Sequence, residues 1–145
     1  MPFKTVLIAI ALLVNLQADQ QEFSEISSSI TIIGNDIGLK ALNTKELKSY
    51  LKGEIMRWPN QKAVEVVLPS SKHAGSEIMA RELFGTSMRD VKRYWLSLVF
   101  QGRAEAPTFL SSNQEIISYV RKNEGTIGVL INFEANDLII EVTDN

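Results

Sequence analysis

A chain of 145 residues, 45% hydrophobic and 22% charged, is long enough for one domain with an apolar core and too apolar for a disordered segment. Fifteen Lys and Arg against seventeen Asp and Glu leave a net charge of −2, which argues against a protein built to neutralise nucleic-acid phosphates. With no cysteine and a single histidine, the chain has no disulfide framework, thiolate nucleophile, zinc finger or multi-histidine metal site, and no motif asks for a cofactor.

The N-terminus reads as a secretory signal. Lys4 and the α-amino group precede an apolar run from Val6 to Val14, and Ala18 offers a small residue for cleavage. The run is shorter than the ~20 apolar residues that span a bilayer, so cleavage is expected over a retained anchor or a buried helix. Residues 1–18 are then the signal peptide, 19–28 a polar lead, and 29–145 one α/β domain of an exported protein.

Strand and helix signals alternate through that domain. Ser29-Ile30-Thr31-Ile32-Ile33 is β-branched and is expected to stop at Gly34-Asn35-Asp36. Asn43 and Glu46 have the spacing of a capping box, with Leu42 and Leu47 as its staple, and Gly53 can end the helix in the left-handed conformation. Ala63 to Leu68 is a second strand, and its near-continuous apolar run predicts burial on both faces, as in a parallel sheet. A helix carrying Met79, Leu83 and Phe84 follows, closed by Gly85. Ser87 and Asp90 open the next, where Met88, Val91, Trp95 and Leu98 recur at spacings of three and four and mark a core-facing stripe. Arg89, Lys92 and Arg93 then belong to its solvated side. Gln101 to Pro107 reads as a loop. Ser112 and Glu115 start a fourth helix with Ile116 and Val120 inward, and Thr126–Ile131 and Leu138–Val142 read as the last strands. The expected fold is α/β, with helices packed on a mostly parallel sheet.

Ligands of open α/β sheets sit beyond the carboxyl ends of the strands, near helix N-termini. Two loops answer that description: Gly34-Asn35-Asp36, and Ser70 to Ser76. In the second, Ser70, Ser71 and Ser76 supply hydroxyls. Gly75 and Ser76 supply backbone N–H groups at a helix start, where a small anion is favoured. Lys72 adds charge, and His73 is a candidate donor beside the loop.

The order of these features resembles the second lobe of the phosphate-binding proteins that serve phosphate ABC transporters, which have the type 2 periplasmic-binding-protein fold. The residues that carry the resemblance are Leu42, Glu46-Leu47, Gly53 and Trp58, then strand Ala63 to Leu68, Gly75-Ser76 and the helix to Phe84. Trp95, then Phe100, Gly102, Arg103 and Pro107, and finally Gly125-Thr126-Ile127-Gly128-Val129 complete it, over roughly residues 29 to 142. The resemblance implies a periplasmic, non-enzymatic solute-binding role with phosphate or another small oxyanion as ligand and a membrane transporter as partner. Two features depart from it. The family's arginine shortly before the serine loop is missing from the Leu68-Pro69-Ser70-Ser71 run, and Glu77, where the family has threonine, puts a carboxylate beside the proposed cradle. Arg103 becomes the expected cation, because a guanidinium pairs bidentately with an oxyanion. The resemblance covers one lobe, so the other wall of a cleft is expected from a partner or a second copy. The alternative is an envelope interaction module that keeps the fold without tight binding. A hydrolase built on Ser71 or Ser76 with His73 is disfavoured, since no Gly-x-Ser-x-Gly elbow is present.

Overall fold

A computed structural model describes residues 29–133 and 137–144, so the expected signal segment and polar lead lie outside the described residues. The first β-branched run forms β1 (Ile30–Asn35), which continues through Gly34 instead of stopping there. Backbone pairing carries it on. Gly34 N–H donates to the Leu138 carbonyl at 2.9 Å, and Gly34 faces Ile127 of β5 (Thr126–Ile131). The chain turns at Asp36, whose φ is 48°.

A three-residue strand absent from the sequence reading, β2 (Ala41–Asn43), leads into α1 (Thr44–Leu51). The capping box forms as the spacing predicts: Glu46 N–H donates to Asn43 Oδ1 at 2.8 Å, and Asn43 N–H donates to Glu46 Oε2 at 3.1 Å. After β3 (Glu65–Pro69) comes α2, which begins as an α-helix (Ser76–Met79) and widens into a π-helix (Ala80–Phe84). Gly85, in the left-handed region, closes it. Next come α3 (Met88–Phe100), the second unforeseen short strand β4 (Thr108–Leu110) and α4 (Asn113–Lys122), each helix opened by a serine cap as expected.

The main sheet has the order β1-β5-β3-β4, with β3 parallel to β4 and β5 and only β1 antiparallel. A separate parallel pair joins β2 to β6 (Glu141–Thr143). The fold is therefore α/β with a mostly parallel sheet. The strand expected at Leu138–Val142 is divided in two. Ile139 bridges antiparallel to Ile33 on the outer edge of β1, and the chain then leaves to pair with β2.

Both faces of the sheet are covered, which accounts for the continuous apolar runs. Ile32, Val66, Leu68 and Val129 join Trp58, Met79, Met88, Val91, Trp95 and Leu98 in the larger core. Their neighbours Ile33, Val67 and Leu130 point the other way, onto Ile116 and Val120 of α4. The stripe read on α3 is the buried face of that helix.

Strand direction decides which loops can meet. β3, β4 and β5 end on one edge, at Pro69, Leu110 and Ile131, where β1 begins with Ile30 opposite Ile131. The opposite edge holds Asn35, paired with Thr126, and the start of β3.

Candidate functional site

Beyond the carboxyl ends of β3 and β4 two serine-bearing turns converge. Ser70 N–H donates to the Leu110 carbonyl at 2.8 Å, so the turn after β3 is pinned to the end of β4. This brings Ser70 Oγ to 3.2 Å from Ser111 Oγ. From α3, Lys92 reaches across and its Nζ donates to Ser71 Oγ at 2.6 Å. The same ammonium lies 5.9 Å from the centre of the Phe109 ring, within the range of a cation–π contact. Three hydroxyls and an exposed ammonium thus share one edge, with Lys72 in the same turn.

His73 organises the floor of this edge. Its Nδ1 accepts the Gly75 N–H at 3.0 Å, which puts the ring proton on Nε2, 3.0 Å from Asn113 Oδ1. Asn113 Oδ1 also accepts the Ile131 N–H at 3.2 Å, and Asn113 Nδ2 donates to the Ile131 carbonyl at 2.7 Å. One buried imidazole therefore ties the β3 loop to the start of α4 and the end of β5. Both ring nitrogens are engaged by partners other than a serine hydroxyl, so His73 is not set as a base for Ser71 or Ser76.

Gly75 is required here by space. A Cβ built on it would lie 2.2 Å from Ile131 Cγ2, so only glycine lets the loop seat against β5. Its N–H, expected as an anion donor, is turned inward to His73. The Ser76 N–H likewise donates to the His73 carbonyl, at 3.1 Å. The Lys72 N–H goes to Ser70 Oγ at 3.3 Å and the His73 N–H to the Ser70 carbonyl at 2.9 Å. The loop satisfies these four amides itself, and its outward chemistry is hydroxyl and ammonium.

Glu77 also differs from expectation. Its Oε2 accepts the Met88 N–H at 3.2 Å, so this carboxylate serves the positive end of α3 next door. It is a bridge between α2 and α3 as much as a neighbour of the serine turn.

Three of the sequence candidates lie elsewhere. Only a parallel β1 would put Asn35 and Asp36 beyond a carboxyl end on the serine edge. Because β1 is antiparallel, they fall on the opposite edge. There Asn35 Nδ2 donates to the Val120 and Arg121 carbonyls at 2.9 and 3.2 Å, capping the last turn of α4. Asp36 and Glu124 both pair with Lys62, and these hydrogen bonds, Asp36 first, hold that ammonium above its ordinary range. Arg103 is separated from the serines by the length of α3: roughly 12 Å of helix runs from Lys92 to Phe100, and Arg103 lies beyond it. Its exposed guanidinium meets Gln101 Oε1 at 3.5 Å. Of the proposed set, Ser70, Ser71, Gly75 and Ser76 share the edge. The cation that the structure supplies there is Lys92, which sequence alone does not distinguish from Arg89 and Arg93.

A scan against protein-family models finds no match for this chain, and a search of the curated proteins finds none either. Solved structures do match its fold. One is a phosphate ABC transporter substrate-binding protein with bound phosphate from Clostridium perfringens, at a TM-score of 0.60 and 16% identity, over 80% of this chain and 44% of that one. Another is an ABC-type phosphate transport receptor from Vibrio cholerae, at a TM-score of 0.56 and 16% identity, over 80% of this chain and 46% of that one. The chain spans less than half the length of these proteins, and at such identity the likeness is one of fold. The resemblance carried by Leu42 to Val129 therefore holds at the level of architecture: this chain has the mostly parallel α/β fold of one part of the phosphate ABC transporter substrate-binding proteins.

Proposed function

We propose that this is an exported, non-enzymatic solute-binding-like protein that takes phosphate or another small oxyanion at the edge formed by Ser70, Ser71, Ser111 and Lys92. The observation that carries the reading is the convergence of those hydroxyls with an ammonium beyond the carboxyl ends of two parallel strands. Hydroxyls and an ammonium are donors suited to an oxyanion, and charge-assisted hydrogen bonds are the strong ones. The phosphate bound to the Clostridium perfringens protein of like fold supports the choice of ligand. The edge is open, so one chain holds the ligand weakly. A second wall, from another copy or a membrane transporter, raises the affinity.

Calorimetric titration with inorganic phosphate tests this. Ser71→Ala and Lys92→Ala are each expected to weaken binding about ten- to a hundredfold, from the loss of a hydrogen bond to a charged group at ~1.5–3 kcal/mol. Arg103→Ala is expected to leave it unchanged. Loss in Arg103→Ala alone would move the site to the far end of α3.

Export carries its own check. Intact-mass measurement of secreted material is expected to give an N-terminus at Asp19, and a retained Met1 in the membrane fraction would contradict the signal reading.

The inward-turned amides of Gly75 and Ser76 favour a second reading, an envelope interaction module that keeps the fold without tight ligand binding. No phosphate heat from the parent, at any concentration of protein, would select it.

A further inference from the structure

The outward face of α3 has a composition that the serine edge does not explain. Arg89, Arg93, Leu96 and Phe100 follow one another at spacings of four, three and four, a single line along the helix opposite the buried Met88, Val91, Trp95 and Leu98. Phe100 is 83% exposed and Leu96 56%, and Val99 at their flank is 39% exposed. Arg103 lies just past the helix end, exposed like the others. Asp90 is the one acidic residue between Met88 and Arg103. Its ion pairs with Arg89 and Arg93 are long, at 3.8 and 3.7 Å, and open to water, so both guanidiniums remain available.

We propose that this face of α3 docks the protein onto an anionic lipid surface, with Phe100 and Leu96 entering the headgroup–acyl boundary and Arg89, Arg93 and Arg103 meeting lipid phosphates. Two properties select this occupant. The first is charge: Arg89, Arg93 and Arg103 against the single carboxylate of Asp90 make the face basic, so it is complementary to an anionic surface. The second is area. Three exposed apolar side chains on a convex helix offer at most a few hundred Å², against about 800 Å² per partner in a stable protein interface. A bilayer needs no matching shape, only projecting apolar groups and a basic rim. Lys92 is turned to Ser71 and is not part of this face.

Vesicle flotation of the full chain tests it, with pure phosphatidylcholine against an equimolar mixture with phosphatidylglycerol. The parent is expected to float with the anionic vesicles, less so at high salt. Leu96→Ser with Phe100→Ser is expected to lower that partition at least ~tenfold, and Arg89→Gln with Arg93→Gln to abolish the preference for phosphatidylglycerol. The apolar run at Val6–Val14 is common to parent and variants, so the difference reports on α3. Phe100→Trp gives a local reading once the parent's emission, from Trp58 and Trp95, is subtracted: the emission of the introduced indole should move to shorter wavelength on anionic vesicles. Equal partition of the serine variant, or an emission spectrum of Phe100→Trp that vesicles leave unshifted, overturns the proposal. So does sedimentation showing a self-association that Leu96→Ser with Phe100→Ser dissolves, which would make the face a contact between copies. Binding to polyglutamate with the same dependence on Leu96 and Phe100 would assign it to an acidic protein instead.

Discussion

Replacing Trp58 with alanine is expected to lower the unfolding free energy by about 3–5 kcal/mol, the range for deleting a buried aromatic side chain. The indole is 1% exposed and stacks on Tyr50 with ring centres 4.1 Å apart. Its Nε1 also donates to the Gly125 carbonyl at 2.7 Å, clamping the loop between α1 and β3 against the start of β5. Trp95 provides the control. It is as buried, at 3% exposed, yet its Nε1 is enclosed without an acceptor among the described residues. Trp58→Phe removes a made hydrogen bond while the Gly125 carbonyl keeps the Glu65 N–H, so it should cost about 0.5–1.5 kcal/mol beyond the loss of ring size, whereas Trp95→Phe removes no hydrogen bond and should cost less. Denaturant titration of the two variants gives the comparison directly. Equal midpoints would show that the Trp58–Gly125 bond contributes nothing.

The second large effect is expected at Gly75. A methyl group there meets Ile131 Cγ2 at 2.2 Å and Ile131 Cβ at 2.6 Å, separations that real side chains do not show. Gly75→Ala must therefore lift the serine loop or displace the end of β5, and overpacking of this kind costs about 1–3 kcal/mol. The shift also pulls on the chain of bonds from Gly75 through His73 and Asn113 to Ile131, so phosphate binding should weaken along with stability. Ile131→Ala alone leaves a cavity and should cost about 2–5 kcal/mol. The pair Gly75→Ala with Ile131→Ala should cost less than the sum, because the added methyl enters the space that the truncation opens. Strict additivity would mean that the loop is not seated on Ile131.

The local signals in this chain are short-range and were legible. The Asn43–Glu46 box, the Ser87 and Ser112 caps, and the left-handed Gly53 and Gly85 each rest on contacts within a few residues. The stripe from Met88 to Leu98 was legible for the same reason, because a helix repeats every 3.6 residues whatever it packs against. β2 and β4 were not legible. Each is three residues long and holds its form through a distant partner: Leu42 of β2 pairs with Val142, and Phe109 of β4 with Leu68. No local pattern announces such pairing.

The candidate site divides along the same line. Ser70, Ser71, Gly75 and Ser76 lie in one continuous segment, and sequence alone put them together at the start of a helix. Which amides face out, which cation joins them and which loops share the edge were decided by tertiary structure. The antiparallel direction of β1 sends Asn35 and Asp36 to the opposite edge, where they cap α4 and pair with Lys62. The axis of α3 carries Arg103 away from the serines while its first turns bring Lys92 to Ser71. Sequence by itself determined the α/β class, the helix boundaries and the buried stripe, since these follow from apolar period and capping chemistry. The tertiary structure decided the donors of the edge, because strand direction and helix placement are set by burying both faces of the sheet, which no single segment encodes.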